Sequence, residues 1–518
     1  MTDSSGNRAR RTGIILSVLL AATVLLIYCP LVSFPFVQDD WAMIHRFVFH
    51  DPGSVITDAL APAGKFFYRP LAVASCLALY GMFGLNAAGF HALALLILGS
   101  SAFLVVAIAR ALTADRTVAW TSGFLFACAA SVHFDSQMWL VGIFDTGATL
   151  LALLCVLAFL RKRYLLSGIA LAAAMGFKES VALLLPAIAA LALLEGTVGA
   201  RGMKGILEIV RKIRWHAAAT SLFAAVKFYG TSPFALPETH PYAARLLGSH
   251  IVTNLRLYST WALQGVTPLK AVSFSRTWGE IVLIAVLAVI AILALTALRR
   301  RGGDAGIAGR RAAAFALIWF ICMLAPPLTL KTHIVRYYLT GALPPLALGA
   351  ALVLRAAART ASRSTGVTAI ACVLFVAACA ADGFFMVRGK TALGLADGVH
   401  ASSDDGDDHL VRKATVVEQT MKPLLTALPT LPAHTLVVME GIETFCFAGR
   451  YGLQVWYRDS TLLLSGVAPG PPDSAGLTHA TLPPPDPWVS PEPVEITLPS
   501  AHVVRVRRDG DRLEIVRP

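Results

Sequence analysis

The chain has 518 residues, of which 56% are hydrophobic and 14% are charged, and its mean hydropathy is +0.66. Soluble globular proteins carry about 25% charged residues, so this composition excludes an ordinary water-soluble enzyme and indicates a protein of the lipid bilayer. The formal net charge is +13, but the arginines stand in short groups between apolar runs. That pattern is typical of anchoring at one membrane face, and no nucleic-acid partner is expected.

Long apolar runs recur from residue 13 to residue 386 and predict a bundle of transmembrane helices. A helix needs about 20 apolar residues to cross a bilayer, and somewhat fewer when it is buried in a bundle. The first run begins like a signal peptide but is too long for one and has no small-residue cleavage site, so we expect it to stay as a span. About eleven spans are predicted, over 13–34, 89–109, 117–133, 145–160, 165–178, 181–195, 215–230, 278–298, 312–330, 337–354 and 366–386.

The run Leu71–Gly84 is also apolar but short, and the basic residues decide whether it crosses the membrane. Cytoplasmic loops are enriched in Lys and Arg. If this run lies in the membrane interface, basic and non-basic loops alternate along the chain and the N-terminus lies inside. All basic segments then face the cytoplasm: 8–11, 110–116, 161–163, 201–214, 299–311 and 355–363. We therefore expect Leu71–Gly84 to be an interfacial helix.

The remaining loops carry most of the aromatic, histidine and acidic residues outside the spans, and the same alternation puts them together on the outer face. These segments are 35–88, 133–144, Lys178–Glu179, 231–277, 331–336 and the chain after residue 386. Within them, 243–265 is a weakly amphipathic helix that we expect to cover this surface.

The tail from Val387 to Pro518 differs in composition from the rest of the chain. It has an acidic patch, proline clusters, and the strand-like runs HTLVVME and YGLQVWY, and it ends in the alternating hairpin HVVRVRRDGDRLEIVRP. The predicted fold is therefore an all-α polytopic membrane domain over 1–386, followed by a small, mostly-β extracytoplasmic domain over 387–518.

Asp39 and Asp40 directly follow the first span. An adjacent carboxylate pair at a membrane surface can act as a general base toward an acceptor hydroxyl, ligate a divalent cation, or stabilise a positive sugar centre. Asp135 is the third oxygen donor to consider if a cation is present. The alternative is structural, because Asp-Asp before an apolar-periodic stretch also begins helices.

Two groups of cations lie on the predicted outer face, where the sorting of positive charge disfavours them. Tyr68 and Arg69 precede the interfacial helix, and the second group follows a late span. Its members are Lys331, His333, Arg336 and Tyr337. These cations and phenols are suited to holding a phosphate and its attached sugar. For Arg69 the alternative is snorkelling, or a salt bridge to Asp39 or Asp51.

Further polar residues lie at the outer ends of other predicted spans, where carboxylates at the edge of hydrocarbon usually face a polar cavity. This set comprises His133, Asp135, Asp145, Lys178, Glu179 and His91. Structural pairing of the carboxylates with Lys178 or Arg336 is the alternative, and His91 is more typical of a packing histidine than of a ligand.

These motifs together resemble those of the GT-C integral-membrane glycosyltransferases, in particular the protein O-mannosyltransferases with transmembrane and tetratricopeptide regions. The matching segments are the acid pair after the first span, the run from Tyr68 to Leu112, HFDSQMWLVGIFD, FKESVALLLP and VRYYL. Two features depart from the family: Ile143 stands where arginine is frequent, and the tail lacks helical repeats of about 34 residues.

The resemblance implies a glycosyltransferase that moves a sugar from a polyprenyl-phosphate donor to a glycan, lipid or protein acceptor, with inversion. It implies that Asp39, with Asp40 beside it, is the catalytic carboxylate and that Arg69 and Arg336 hold the carrier phosphate. Membrane lipids are expected partners, no nucleotide cofactor is expected, and a divalent cation is left open. High Ala and Arg usage suggests a bacterial inner membrane with the site facing the periplasm.

Two other classes of protein remain as alternatives. A transporter or lipid flippase would bind its substrate near the bilayer midplane, whereas these polar residues cluster at the ends of spans. A scaffold that displays the tail would not need about eleven spans.

Overall fold

Helices make up most of this computed structural model, and among the residues that it describes the strands all follow residue 430. The structure describes residues 3–62, 66–196, 203–229, 236, 240–269, 281, 304–361, 364–396, 409–469, 472–482, 494–509 and 512–516. The predicted span 278–298 and the acidic patch of the tail lie almost wholly outside these residues.

The helices before the tail are numbered in chain order among the described residues. They are α1 Asp3–Tyr28, α2 Asp39–Phe49, α3 Pro52–Leu60, α4 Pro70–Phe83, α5 Ala87–Thr113, α6 Arg116–Ala127, α7 Ala130–Met138, α8 Ile143–Leu160, α9 Tyr164–Phe177, α10 Leu184–Gly196, α11 Met203–Phe228, α12 Ser249–Val266, α13 Asp304–Leu328, α14 Leu343–Ala361 and α15 Thr365–Ala396. Most of the predicted spans therefore correspond to a helix, and α15 continues past residue 386.

The long apolar helices are those of a multi-pass membrane protein. Five segments of the described chain are long and apolar enough to cross a bilayer, or six if α6 and α7, which are bent by 50°, form one broken span. The five are Arg10–Ser33, Ala87–Thr113, Leu140–Leu160, Ile307–Leu328 and Thr365–Ala392. The helices α9 and α10 have only 14 and 13 residues and are buried in the bundle to different degrees, so the count of about eleven spans stays a prediction.

Contacts between helix ends show how the helices alternate in direction. The hydroxyl of Tyr28, at the end of α1, donates to the carbonyl of Ala127 at the end of α6, 2.9 Å away. At the other end of α6, Arg355 of α14 bonds Asp115 at 3.2 Å. We call the end with Tyr28 and Ala127 the site end and the end with Asp115 and Arg355 the basic end.

Two segments were predicted to lie along the membrane surface, Leu71–Gly84 and 243–265, and both are found at the site end. Helix α4 has 14 residues and begins at Pro70, and Gly176 near the end of α9 packs on its Leu71, where an added Cβ would lie 2.9 Å from that side chain. The interfacial role of Leu71–Gly84 stays a prediction. The predicted helix over 243–265 is observed as α12, which begins six residues later, at Ser249.

The bend between α6 and α7 is followed by a close backbone crossing at Gly142. A Cβ on Gly142 would lie only 2.2 Å from the carbonyl oxygen of Ser136, far inside van der Waals contact. Only glycine fits there, and the crossing turns the chain from α7 into α8, which places Asp145 in the first turn of α8.

After α15, the described part of the tail contains two α-helices and six strands, and four of the strands form a mixed sheet. Its elements are α16 His409–Ala427, β1 Leu436–Glu440, α17 Arg450–Tyr457, β2 Leu463–Ser465, β3 Leu477–Leu482, β4 Val494–Pro499, β5 Val503–Asp509 and β6 Arg512–Val516. The four-stranded sheet has the order β2-β1-β5-β6, in which β1 is parallel to both β2 and β5. The predicted terminal hairpin is confirmed as the antiparallel pair β5–β6, and HTLVVME supplies β1.

The strand predicted for YGLQVWY is wrong, because this segment is the helix α17. A short apolar run does not distinguish strand from helix by its period alone. Two contacts between residues close in the chain accompany the helix here. The backbone of Gly452 packs on Phe447, and the Gln454 side chain donates at 2.8 Å to the carbonyls of both Ser460 and Leu462.

The crossing at Gly142 predicts opposite outcomes for two glycine-to-alanine variants. Gly142→Ala is expected to lower the free energy of unfolding by about 1–3 kcal/mol, because the Ser136 carbonyl belongs to the backbone and cannot move aside cheaply. Gly99→Ala, in the middle of α5 with nothing within 4 Å of the new Cβ, should be neutral or stabilise by up to about 1 kcal/mol.

Thermal unfolding in detergent, followed by circular dichroism, measures both variants. Equal melting temperatures for Gly142→Ala and the parent protein would show that the crossing tolerates a methyl group and would contradict the close approach.

Candidate functional site

Loops from distant parts of the sequence meet at the site end and bring together the acid pair, two buried ion pairs and a group of aromatic rings. The segments that contribute are 34–41, 66–69, 139–145, 178–179, 240–242 and 333–338. We call this assembly the candidate site.

The two aspartates of the acid pair have different environments. Asp40 is completely buried, and its carboxylate oxygens accept the backbone N–H groups of Val37 and Val141 at 3.1 and 3.2 Å. Burial raises its pKa to about 8, although those hydrogen bonds act to lower it. Asp40 therefore ties the loop before α2 to the turn before α8 and does not face open space.

Asp39 is solvent-exposed at the first position of α2. The surrounding protein nevertheless desolvates its carboxylate and raises its pKa, while the positive charge of Lys413 acts to lower it. An accessible carboxylate with a raised pKa is suited to accepting a proton near neutral pH.

The residue before the pair, Gln38, has a backbone φ of 50°, in the left-handed region that non-glycine residues seldom adopt. Its N–H donates to the carbonyl of Cys446 in the tail, at 2.9 Å. Its carbonyl accepts from the N–H of Trp41 at 3.0 Å. The tail thus fixes the conformation from which Asp39 and Asp40 project.

The first ion pair of the candidate site joins Arg69 to Glu179. The guanidinium donates two hydrogen bonds, from Nε at 2.8 Å and from Nη2 at 2.9 Å, to the two carboxylate oxygens. The planar group is also held 4.3 Å from the ring centroid of Phe67. Neither of the alternatives considered for Arg69, a bridge to Asp39 or to Asp51, is observed.

The second ion pair joins Lys178 to Asp145, and both side chains are about nine-tenths buried. The Lys178 ammonium also lies 4.5 Å from the ring centroid of Tyr338 and 5.6 Å from that of Tyr337. Pairing of Asp145 with Lys178 was the structural alternative for this carboxylate. The two ion pairs bring two cations and two anions to one place with no net charge.

Aromatic rings surround these charges, and Tyr242 stands among them. Its ring centroid lies 4.8 Å from that of Phe67 and 4.7 Å from that of His333. Burial raises the pKa of Tyr242 to about 12, and the charges of Arg69, Asp39, Glu179 and Asp145 all act on it. The phenol is therefore electrostatically linked to both ion pairs and to Asp39.

Of the predicted cationic group Lys331, His333, Arg336 and Tyr337, only part lies within the candidate site. His333 is half-buried and lies 3.4 Å from the hydroxyl of Tyr337, whose ring also packs on Trp139. Arg336 stacks 5.3 Å from the ring centroid of Trp261, while Lys331 is exposed. Tyr68 contacts Phe223 and donates to the carbonyl of Leu60 at 3.3 Å, so it borders the cluster.

The two histidines of the predicted set bond to backbone carbonyls. His91 lies 3.0 Å from the carbonyl of Gln137 and 3.1 Å from that of Phe34, and it ties α5 to both segments. His133 is fully buried and bonds the carbonyl of Phe126 at 3.0 Å. These contacts are those of packing residues. Asp135, also in the predicted set, is half-buried and lies one turn before Trp139.

A metal site formed by Asp39, Asp40 and Asp135 does not fit this arrangement. Both carboxylate oxygens of Asp40 already accept backbone N–H groups. Within the described parts of the chain, no group of three or more His, Cys, Asp or Glu side chains is placed to hold a metal ion.

Sequence reasoning missed the contributions of the tail and of Tyr242. Lys413 of α16 acts on Asp39, and Cys446 accepts from Gln38. Nothing in the local pattern around these residues points to the acid pair, because they meet it only through tertiary packing. Tyr242 had a signal, the cluster ETHPYAARLLGSH in a predicted outer loop.

Comparisons with known proteins give structural similarity alone. No protein-family model and no curated protein sequence matches the chain. ArnT from Cupriavidus metallidurans, bound to undecaprenyl phosphate, aligns with a TM-score of 0.47 and 13% identity over 88% of this chain and 86% of its own. The apo oligosaccharyltransferase of Archaeoglobus fulgidus aligns with a TM-score of 0.46 and 12% identity over 88% of this chain.

The chain spans 64% of the length of that oligosaccharyltransferase, less than two thirds. Both neighbours are GT-C glycosyltransferases, the class whose motifs this sequence resembles. Since both TM-scores are below 0.5, no residue role is carried over from either protein, and the roles considered below come from the contacts in this chain.

Proposed function

We propose that this membrane protein is a glycosyltransferase of the GT-C type that takes a sugar from a polyprenyl-phosphate carrier. The observation that carries the proposal is the meeting of an accessible, raised-pKa carboxylate, Asp39, with the Arg69–Glu179 and Lys178–Asp145 ion pairs near Tyr242. The assembly lies at the end of an apolar helix bundle, and the headgroup of a membrane-anchored carrier would be bound at such an end.

In the proposed reaction, Asp39 is the general base. The acceptor hydroxyl gives its proton to the Asp39 carboxylate as its oxygen attacks the anomeric carbon of the sugar. The new bond forms on the face opposite the phosphate, so the anomeric configuration inverts. The bond from that carbon to the phosphate oxygen breaks, and the polyprenyl phosphate leaves with the bonding electrons.

The developing charge on the leaving phosphate needs cations at fixed positions. Arg69 and Lys178 are held by Glu179 and Asp145, so they are oriented before the carrier binds and need little reorganisation during the reaction. Arg336 and His333 form the second set of phosphate-binding side chains in the proposal, and the rings of Tyr242 and Tyr337 offer a surface for the sugar.

The opposite end of the bundle supports an outward-facing site. Arg110, Arg116, Arg355 and Arg359 lie there, and cytoplasmic loops are the ones enriched in arginine. We therefore place the candidate site on the extracytoplasmic side, which in a bacterium is the periplasmic face of the inner membrane. Charges at the end of the bundle, and not at its middle, favour an enzyme over a transporter or flippase.

Replacement of Asp39 tests the proposal. Asp39→Asn is expected to lower the rate of transfer by about a hundredfold or more, because it removes the base and keeps the shape of the side chain. The measurement is release of polyprenyl phosphate from a polyprenyl-phosphate sugar by the purified protein, with a survey of sugars and acceptors.

Asp58→Asn is the matched control, because Asp58 is an exposed carboxylate of α3 that pairs with Arg46 of α2. It should retain the parental rate. Full turnover by Asp39→Asn would remove the proposed base, and absence of release by the parent protein with every donor would reject the glycosyltransferase.

A further inference from the structure

A groove opens on the membrane side of the bundle, away from the candidate site. It lies between α1, α6 and α15 and encloses about 600 Å³. Its walls are mostly apolar and include Leu16, Leu19, Phe124, Val373, Val376 and Ala380.

The groove is long and narrow along the helix axes. It runs from Thr12 to Thr23 on α1 and from Ala369 to Ala380 on α15. Eleven residues of helix correspond to about 16 Å, roughly half the thickness of the hydrocarbon core. These dimensions suit an extended acyl chain that belongs to one leaflet.

The polar end of the groove lies at the basic end of the bundle and carries an excess of positive charge. Arg116 and Thr117 line it. Beside them Asp115 accepts from Arg355 at 3.2 Å and from Arg359 at 3.4 Å. Two arginines therefore share the carboxylate that precedes Arg116 in the chain, and the side chain of Arg359 is 60% exposed.

Arg116 is also in a position that its own helix disfavours. It is exposed and is the first residue of α6, where the helix dipole repels a cation. Asp115 already accepts the N–H groups of Thr117 and Val118 at 2.8 and 3.3 Å, so an added anion would be held here by the side chains of Arg116 and Arg359.

We propose that the groove is a binding site for one anionic phospholipid, with its phosphate at Arg116 and Arg359 and an acyl chain along α1 and α15. The occupant is a lipid of the leaflet at the basic end, so this site is separate from the carrier site at the other end of the bundle. Charge complementarity selects an anionic headgroup over a zwitterionic one.

Lipid binding by the purified, delipidated protein tests the site. Native mass spectrometry after reconstitution with phosphatidylglycerol or phosphatidylcholine counts retained lipid molecules. The double variant Arg116→Gln/Arg359→Gln is expected to bind phosphatidylglycerol about thirtyfold more weakly, because it removes two arginines from the headgroup position. Phosphatidylcholine binding should hardly change.

A second variant and a control distinguish lipid bound in the groove from lipid bound nonspecifically to the protein surface. Ala377→Trp fills the groove and should abolish retention of either lipid. Arg161→Gln, exposed at the end of α8 and outside the groove, should leave phosphatidylglycerol binding unchanged. Equal retention by the double variant and Arg161→Gln, or tighter binding of polyprenyl phosphate than of phosphatidylglycerol in the groove, would overturn the proposal.

A separate observation concerns the contact between the tail and the helix that carries Asp39. Rings of α2 and α17 pack together, with centroids 5.8 Å apart for Trp41 and Trp456 and 4.6 Å apart for His45 and Tyr451. With the hydrogen bond from Gln38 to Cys446, these contacts hold the tail against the acid pair.

Lys413 is the charged residue of the tail that acts on Asp39. Its side chain is 9% exposed and lies 3.7 Å from Glu443, which also accepts from Arg412 at 3.0 Å. Glu443 lies three residues before Cys446, so the same short segment holds both Lys413 and the Gln38 backbone. The segment Glu443–Cys446 thus joins a buried cation to the backbone that precedes Asp39.

The geometry points to Lys413 as a positioning residue that keeps Asp39 ionised, an inference that rests on the proposed function. The charged and titratable groups around Asp39 are Asp40 on its own helix, Lys413 on α16, and Tyr242 and Tyr337 in the outer loops. Of these, Lys413 supplies the positive charge.

The pH profile of transfer distinguishes this role from a structural one. Without the positive charge the pKa of Asp39 rises, so the acidic limb of kcat/KM should move to higher pH in Lys413→Met. We expect about a tenfold loss on that limb and little loss at high pH. Lys413→Arg should restore the parental profile.

Lys422→Met, an exposed position on the same helix α16, is the control and should match the parent protein. A loss in Lys413→Met that is equal at every pH, or no loss at all, would refute the positioning role. If the parent protein itself transfers no sugar, the proposed function fails instead, so the two failures are distinguishable.

Discussion

The candidate site depends on the burial of opposite charges at the end of an apolar helix bundle. Lys178 and Asp145 are about nine-tenths withdrawn from water and Arg69 and Glu179 are mostly withdrawn, and an unpaired charge at such a place is unfavourable. Removing one partner of a buried pair usually destabilises a protein by about 3–5 kcal/mol. The four residues come from three separate parts of the chain, so their pairing fixes how α4, α8 and α9 meet. The same pairing leaves two cations immobile beside Tyr242.

Asp39 and Asp40 differ in burial, and this difference separates their roles. Asp40 is buried and satisfied by two backbone N–H groups, so it joins two loops and has no free lone pairs directed at solvent. Asp39 is one residue further out on the first turn of α2 and stays accessible. Adjacent residues on a helix point about 100° apart, so one of the pair can hold the structure while its neighbour faces a substrate.

The tail also contributes to the site. Gln38 has a positive φ, and its N–H donates to the carbonyl of Cys446. Strained backbone of this kind persists only where the surroundings determine it. The packing of α17 on α2 and the ion pairs of Glu443 supply those surroundings. An enzyme with this arrangement has its acid pair completed by two regions of chain that lie about 400 residues apart.

Composition, apolar runs and the placement of arginine were enough to predict a multi-pass helical membrane protein, and local patterns predicted the strand HTLVVME and the terminal hairpin. These features depend on local periodicity and on the chemistry of the bilayer, which a sequence displays directly. The segments of the candidate site were also predictable, since Asp39, Arg69, Asp145, Lys178 and Glu179 are polar residues beside apolar spans. The period of YGLQVWY could not distinguish a helix from a strand. Only the tertiary structure decided which charges pair, that Asp40 is buried while Asp39 is exposed, and that the segment of the tail that binds Lys413 also bonds Gln38. These outcomes depend on contacts between residues far apart in the chain, whose energies exceed the local preferences that a sequence pattern reports.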